Sequence, residues 1–191
     1  RKVFQPAKQI KSARAYIVAA GLYELYLNGE KVGNHRLDPM YTRFDRRNLY
    51  VTYDVTDNLK SGDNAIGVLL GNGWYNHQSL AVWNFDRAPW RARPAFCMDL
   101  RITYTDGSTQ VVSTGGDWKT SFSPIIANSI YTGEQYDARL EQPGWNTNSF
   151  DDAKWNGVSL RAAPSGNIVS QVMHPIRNVE ETVFFHPIEI D

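Results

Sequence analysis

Leu22-Tyr23-Glu24-Leu25-Tyr26-Leu27-Asn28-Gly29-Glu30-Lys31-Val32-Gly33 is the stretch that decides the fold. Six residues, all but Glu24 apolar or aromatic, run into Asn28-Gly29, the strongest short hairpin signal, because both central residues of a type I′ turn need positive φ. Residues 22–27 therefore form one arm of a hairpin and residues 31–33 the return. Upstream, residues 13–18 alternate before Gly21. Downstream, residues 65–70 and 95–104 read as buried strands, and Asp106-Gly107 joins the second to a strand over 109–113. Strands over 118–121, 125–130 and 136–140 complete the set. Between them, Thr56-Asp57-Asn58-Leu59-Lys60 before Ser61-Gly62 predicts one capped helical turn closed by glycine. No segment places apolar residues at helical spacing over three turns. Short alternating segments divided by turn chemistry predict an all-β fold, an antiparallel β-sandwich with jelly-roll connections.

A chain of 191 residues at about 100–200 residues per domain is one domain with a short appendage. We place the sandwich at residues 1–163. After Ala163-Pro164-Ser165-Gly166 the composition shifts, and residues 164–191 are expected to be a linker and the start of a following domain. The chain, opening on Arg1, is read as a piece of a longer polypeptide. Twenty Lys and Arg balance twenty Asp and Glu, which argues against nucleic acid as a general partner, since phosphate binding needs a basic excess. The basic cluster 43–47 encloses Asp45 and reads as a solvated loop, while Arg87, Arg91 and Arg93 are interleaved with Trp and Pro. No apolar run approaches the ~18 residues of a membrane-spanning helix, and no membrane partner is expected. Cys97, the single cysteine, excludes a disulfide framework; in Ala95-Phe96-Cys97-Met98 it is expected to be a buried, inert thiol.

A catalytic set is not found. The four histidines, His35, His77, His174 and His186, are scattered, and there is no nucleophile elbow or phosphate loop. A glycosidase needs two carboxylates about 5–10 Å apart across one bond. Glu134 and Asp137 are the best local pair, yet residues three apart on a strand point to opposite faces. One of them is expected to pair with Arg139 or a backbone amide, and Asp151 and Asp152 to be solvated or capping.

The exceptional feature is aromatic: 6 Trp, 10 Tyr and 8 Phe, several in loop-like sequence. Gly71-Asn72-Gly73-Trp74-Tyr75-Asn76-His77 and Trp83-Asn84-Phe85-Asp86-Arg87-Ala88-Pro89-Trp90-Arg91 combine flat rings with amides, a carboxylate and guanidinium groups. That composition suits a sugar, whose C–H faces stack on rings while its hydroxyls take polar partners. Trp74 and Trp83 are the candidate stacking residues; Asn76, Asn84, Asp86 and Arg87 would supply polar contacts. The structural alternative is that Trp74 and Trp90 cap the sandwich. At roughly 0.3–0.4 kcal/mol per atom, a monosaccharide of about 11 atoms binds near the millimolar range. So weak a site is useful when tethered to something else that engages the same glycan.

Three ordered blocks carry a specific resemblance: residues 21–33, Tyr50-Val51-Thr52-Tyr53-Asp54-Val55-Thr56-Asp57-Asn58-Leu59, and Gly62-Asp63-Asn64-Ala65-Ile66-Gly67-Val68-Leu69-Leu70-Gly71-Asn72-Gly73-Trp74-Tyr75. With Gly133-Glu134-Gln135-Tyr136-Asp137-Ala138-Arg139 and Phe150-Asp151-Asp152-Ala153-Lys154-Trp155, the chain resembles the N-terminal β-sandwich domain of bacterial α-L-rhamnosidases, within the broader galactose-binding-like sandwiches. The resemblance implies a glycoside hydrolase parent that removes terminal α-linked L-rhamnose with inversion, its catalytic carboxylates on a separate, downstream helical barrel. This chain would then be non-catalytic, its partners being that downstream catalytic domain and a rhamnose-containing glycan. Glu134, Tyr136, Asp137 and Arg139 would form an interdomain motif.

Related modules bind rhamnose through calcium, and Asp45 lies in the loop matching that site, with residues 84–94 opposite. Arg46 stands where a second oxygen ligand is expected, and Met40 follows Pro39 where a glycine is usual. Calcium takes six to eight oxygens, so no cofactor is expected and Asp45 is the lone calcium candidate. A stand-alone lectin-like domain and a purely structural interface domain are the alternatives. A periplasmic or extracellular setting is the expectation for compartment.

Overall fold

The computed structural model describes residues 1–80 and 83–180. Thirteen strands and three single turns of 3₁₀ helix, over Thr56–Asn58, Phe85–Arg87 and Ala138–Leu140, make up the described regular structure. Strands β1 (Lys2–Phe4), β3 (Leu22–Leu27), β4 (Glu30–Lys31) and β6 (Asn64–Gly71) form a four-stranded sheet in the order β1-β6-β3-β4. Strands β2 (Ile10–Ala20), β5 (Arg47–Asp54), β7 (Ala95–Tyr104), β8 (Thr109–Ser113) and β13 (Asn167–Ser170) form a five-stranded sheet in the order β13-β5-β2-β7-β8. Two small ribbons flank them: β10 (Ile125–Ser129) with β11 (Gly133–Tyr136), and β9 (Lys119–Thr120) with β12 (Asn156–Gly157).

The decisive hairpin forms as its residues require, with Asn28 at φ 53° and Gly29 at φ 95°. Its return is short, Glu30–Lys31, paired with Leu27 and Tyr26. At Gly21 the chain crosses from β2 in one sheet to β3 in the other. Its φ is +118°, and a Cβ there would lie 2.5 Å from the Gly71 carbonyl oxygen, so the corner admits only glycine.

The core lies between the two sheets. Ala13, Ala15, Ile17 and Ala19 of β2 face Leu25 and Leu27 of β3 and Ile66 of β6, with Met98, Leu100 and Ile102 of β7 alongside. The small residues of central β2 leave room for larger neighbours, each of which contributes about 1.5–3 kcal/mol when fully buried. The outer face of the five-stranded sheet is polar: Arg14, Tyr16, Arg101 and Thr103 share it, with the Arg101 guanidinium 5.9 Å from the Tyr16 ring centre.

Two expectations are corrected. Cys97 is exposed, because only one face of β7 is covered: alternation buries Met98 and turns Cys97 outward, beside the Thr114 hydroxyl at 3.6 Å. The strand expected over 136–140 lies earlier, over Gly133–Tyr136, and gives way to a 3₁₀ turn over Ala138–Leu140, which Asp137 caps through its side chain. Residues 164–180, expected as a connector, include β13, which pairs parallel with β5 from Asn167↔Arg47 to Ser170↔Tyr50. Residues 181–191 of that segment lie outside the described residues.

Candidate functional site

Strand β6 ends at Gly71, and Asn72 anchors the loop beyond it. Its backbone N–H donates to Asn128 Oδ1 at 2.7 Å and its side-chain amide to the Asn128 carbonyl at 3.0 Å. Asn76 in turn donates to Asn72 Oδ1 at 2.8 Å and is buried. The hairpin β10–β11 thus clamps the aromatic loop, and the amide of Asn76 serves the clamp.

Trp74 sits inside a ring cluster. Phe85 is 4.7 Å away between centroids, Tyr131 and His77 are each 5.4 Å away, and Tyr41 is 6.2 Å away. A second group joins Phe44, Tyr75 and Trp90, with Phe44–Tyr75 centroids at 4.9 Å. Trp83 is outside both groups and 74% exposed. Asn84 adopts φ 55° at the entry to the Phe85–Arg87 turn and is exposed, as is Arg87. Asp86 is half-buried with one carboxylate oxygen 3.7 Å from Arg87 Nε. Among the six candidate sugar contacts, Trp74 and Asn76 are packed inward, whereas Trp83, Asn84 and Arg87 reach solvent. Three enclosed polar atoms here lack a hydrogen-bond partner among the described residues: His77 Nδ1, Asp86 Oδ1 and Trp90 Nε1. Enclosed unpaired polar atoms are uncommon, and three within fourteen residues single this loop out.

Beside the loop lies a cleft of about 520 Å³, lined by Asp45, Tyr75, Trp90, Arg91 and Arg161 among others. Arg91 Nε donates to the His77 carbonyl at 2.8 Å, and Arg161 donates to the Arg93 carbonyl at 2.8 Å and to the Tyr75 hydroxyl at 3.1 Å. Asp45 accepts from Arg43 Nε at 2.8 Å and Nη2 at 3.0 Å, while that guanidinium lies 5.7 Å from the Trp90 ring centre. A carboxylate gripped by a guanidinium fork and flanked by Arg46 is a poor calcium ligand, and no group of three or more His, Cys, Asp or Glu able to hold a metal occurs among the described residues.

The interdomain candidates lie on β11 and the turn after it. Glu134, Tyr136 and Arg139 are exposed and Asp137 is half-buried. Asp137 accepts from Arg139 Nε at 2.8 Å, Nη2 at 2.6 Å and the Arg139 backbone N–H at 3.1 Å, so of the two carboxylates it is Asp137 that pairs with Arg139. These bonds hold its carboxyl below the usual range. The Tyr136 hydroxyl donates to Glu141 Oε1 at 2.5 Å, which raises the phenol pKa.

A further cavity of about 250 Å³ beside β6, lined by Tyr26, Trp118, Phe122, Trp145 and Trp155 among others, has no acidic residue among the described residues of its wall. In a separate buried network, Asp38 accepts from Tyr53 at 2.8 Å and lies 2.6 Å from His35 Nδ1. Burial and the neighbouring Tyr53 raise the Tyr23 phenol. Gln171, 3.4 Å from Asp38, ties this network to the segment after β13.

Sequence reasoning missed Tyr41, Tyr131, Asn128 and Arg161. Each reaches the loop from a distant part of the chain, and no local spacing signals it.

Residues 8–180 match the family described as the α-L-rhamnosidase N-terminal domain. The chain is 38% identical over 177 residues to an α-L-rhamnosidase of Formosa agariphila, covering 91% of this chain and 18% of that protein. Among solved structures, it resembles the Streptomyces avermitilis α-L-rhamnosidase complexed with L-rhamnose, with TM-score 0.87 and 36% identity over 94% of this chain and 17% of that one. The native Aspergillus terreus enzyme gives TM-score 0.88 and 38% identity, over 94% and 21%. The chain spans about a fifth of the length of these relatives.

Proposed function

Since the chain belongs to the family of α-L-rhamnosidase N-terminal domains, we propose that it is a non-catalytic accessory module, bracing the catalytic part of the same polypeptide and holding substrate glycan near it. One observation carries the non-catalytic reading. Among the described residues, the cleft beside Trp90, the cavity beside β6 and the groove on the outer face of the five-stranded sheet are none of them lined by two acidic residues, and Asp45, the one carboxylate among their described lining, is held by Arg43. Glycoside hydrolysis needs two carboxylates facing one bond.

The bracing surface is the hairpin β10–β11 and its approach. Phe122 is 92% exposed, and Ile126, Tyr131 and Tyr136 are each more than half exposed. Clustered large apolar residues rimmed by the Asp137–Arg139 pair suit contact with another domain. The glycan-holding surface is the face of the aromatic loop that offers Trp83, Asn84 and Arg87.

The test is hydrolysis of an aryl α-L-rhamnoside by residues 1–191 beside a full-length rhamnosidase. No turnover above background is expected; a rate comparable with the full enzyme overturns the reading. Titration with L-rhamnose to tens of millimolar, followed by amide resonances, tests the glycan role. Shifts at residues 83–91 are expected, and no movement there leaves a brace alone.

A further inference from the structure

The cleft beside Trp90 has a character that a neutral sugar does not call for. Arg91 and Arg161 line it, and Arg43, Arg46 and Arg93 adjoin it in the chain or by hydrogen bond. No lysine lines it, although the chain carries seven. Asp45, the single carboxylate among the described lining residues, is already matched by Arg43 through two bonds. In a chain of zero formal net charge, the cleft therefore keeps an uncompensated positive charge.

The two lining guanidinium groups are also held in place. Arg91 is anchored through Nε on the His77 carbonyl, and Arg161 spans the Arg93 carbonyl and the Tyr75 hydroxyl. Each keeps further N–H groups beyond these bonds. Guanidinium forks match carboxylates bidentately, and anchoring reduces the entropy lost when they engage one. Trp90 and Pro89 supply an apolar wall.

We propose that this cleft binds a carboxylated sugar, a uronate residue of an acidic glycan, with Arg91 and Arg161 on its carboxylate, Trp90 against its ring, and no metal ion taking part. This rests on the glycan-holding reading and names the sugar class. The Arg43–Asp45 pair removes the one like charge that would repel the ligand and occupies the carboxylate a cation would need.

Trigalacturonate is the probe, titrated at pH 7 into the chain in low and in 300 mM salt, with and without EDTA. Maltotriose and a short oligothymidylate are run in parallel. Amide shifts at residues 89–92 and 161–165 give the site. We expect trigalacturonate to bind about tenfold more tightly than maltotriose, to weaken with salt, and to be indifferent to EDTA. Arg161→Gln should lower affinity about five- to tenfold, with Arg161→Lys recovering only part because the fork is lost. Unchanged melting curves establish that the variants are folded; should Arg161→Gln unfold, Arg91→Gln replaces it.

Equal binding of maltotriose, equal or tighter binding of the oligonucleotide, or loss of binding in EDTA overturns the proposal. L-Rhamnose shifting residues 83–91 while trigalacturonate does not bind overturns the uronate assignment and leaves the module reading standing. Absence of every carbohydrate shift removes both.

Discussion

Asp152 shows how one side chain can secure a surface of this molecule. Its carboxylate accepts from Lys119 Nζ at 2.7 Å and pairs with Arg1, whose side chain is nearly inaccessible. The Lys119 hydrogen bond, with smaller help from Arg1, holds its pKa below the ordinary value. A carboxyl whose folded pKa is depressed stabilises the fold fully above its unfolded value of about 4 and loses that contribution as pH falls through the lower one. Thermal melts between pH 5 and pH 2 should therefore fall more steeply in the native chain than in Asp152→Asn. At pH 7 that variant should lose about 2 kcal/mol, because Arg1 keeps a buried charge with a weaker partner. Trp74 and Trp83 contrast in the same way. Trp74→Ala opens a gap among four rings and should cost about 2–3 kcal/mol, whereas Trp83→Ala should stay within about 0.5 kcal/mol. Differential scanning calorimetry separates the two; equal losses would show that Trp83 is packed.

The hairpin β10–β11 acts on the loop after β6, 56 residues away in sequence, through Asn72 and Asn128. It holds the loop by two amide contacts and by Tyr131 lying edge-on to Trp74 and His77. Asn128→Ala leaves the half-buried Asn72 N–H unpaired, at a cost of about 1–3 kcal/mol. Faster hydrogen exchange is expected at residues 72–77 with little change in β2 and β7; uniform acceleration would mean that the hairpin supports the whole sandwich. Residues 164–180 make the same point about elements. Their composition reads as a connector, yet β13 completes an edge of the five-stranded sheet, because pairing with β5 satisfies backbone groups that composition does not register.

Across the molecule, two sheets enclose one core while the chemistry gathers at the rim, where loops from β5, β6, β10–β11 and residues 161–165 meet. Local sequence was sufficient wherever the physics is local. Asn28-Gly29 determined a turn because few residues tolerate positive φ; alternation determined which residues of β2 and β7 point inward; the residues around Arg139 offered it a carboxylate partner, though not which one. The tertiary structure decided the rest. That Cys97 faces solvent depends on only one side of its sheet being covered. That Trp74 is packed among rings and Trp83 is not depends on Tyr41, Phe85 and Tyr131 converging from separate segments. That Asp45 belongs to Arg43, and that Arg91 and Arg161 line one cleft, depends on the closing of loops far apart in the chain, and such proximity is set by the folded core and by no spacing along the sequence.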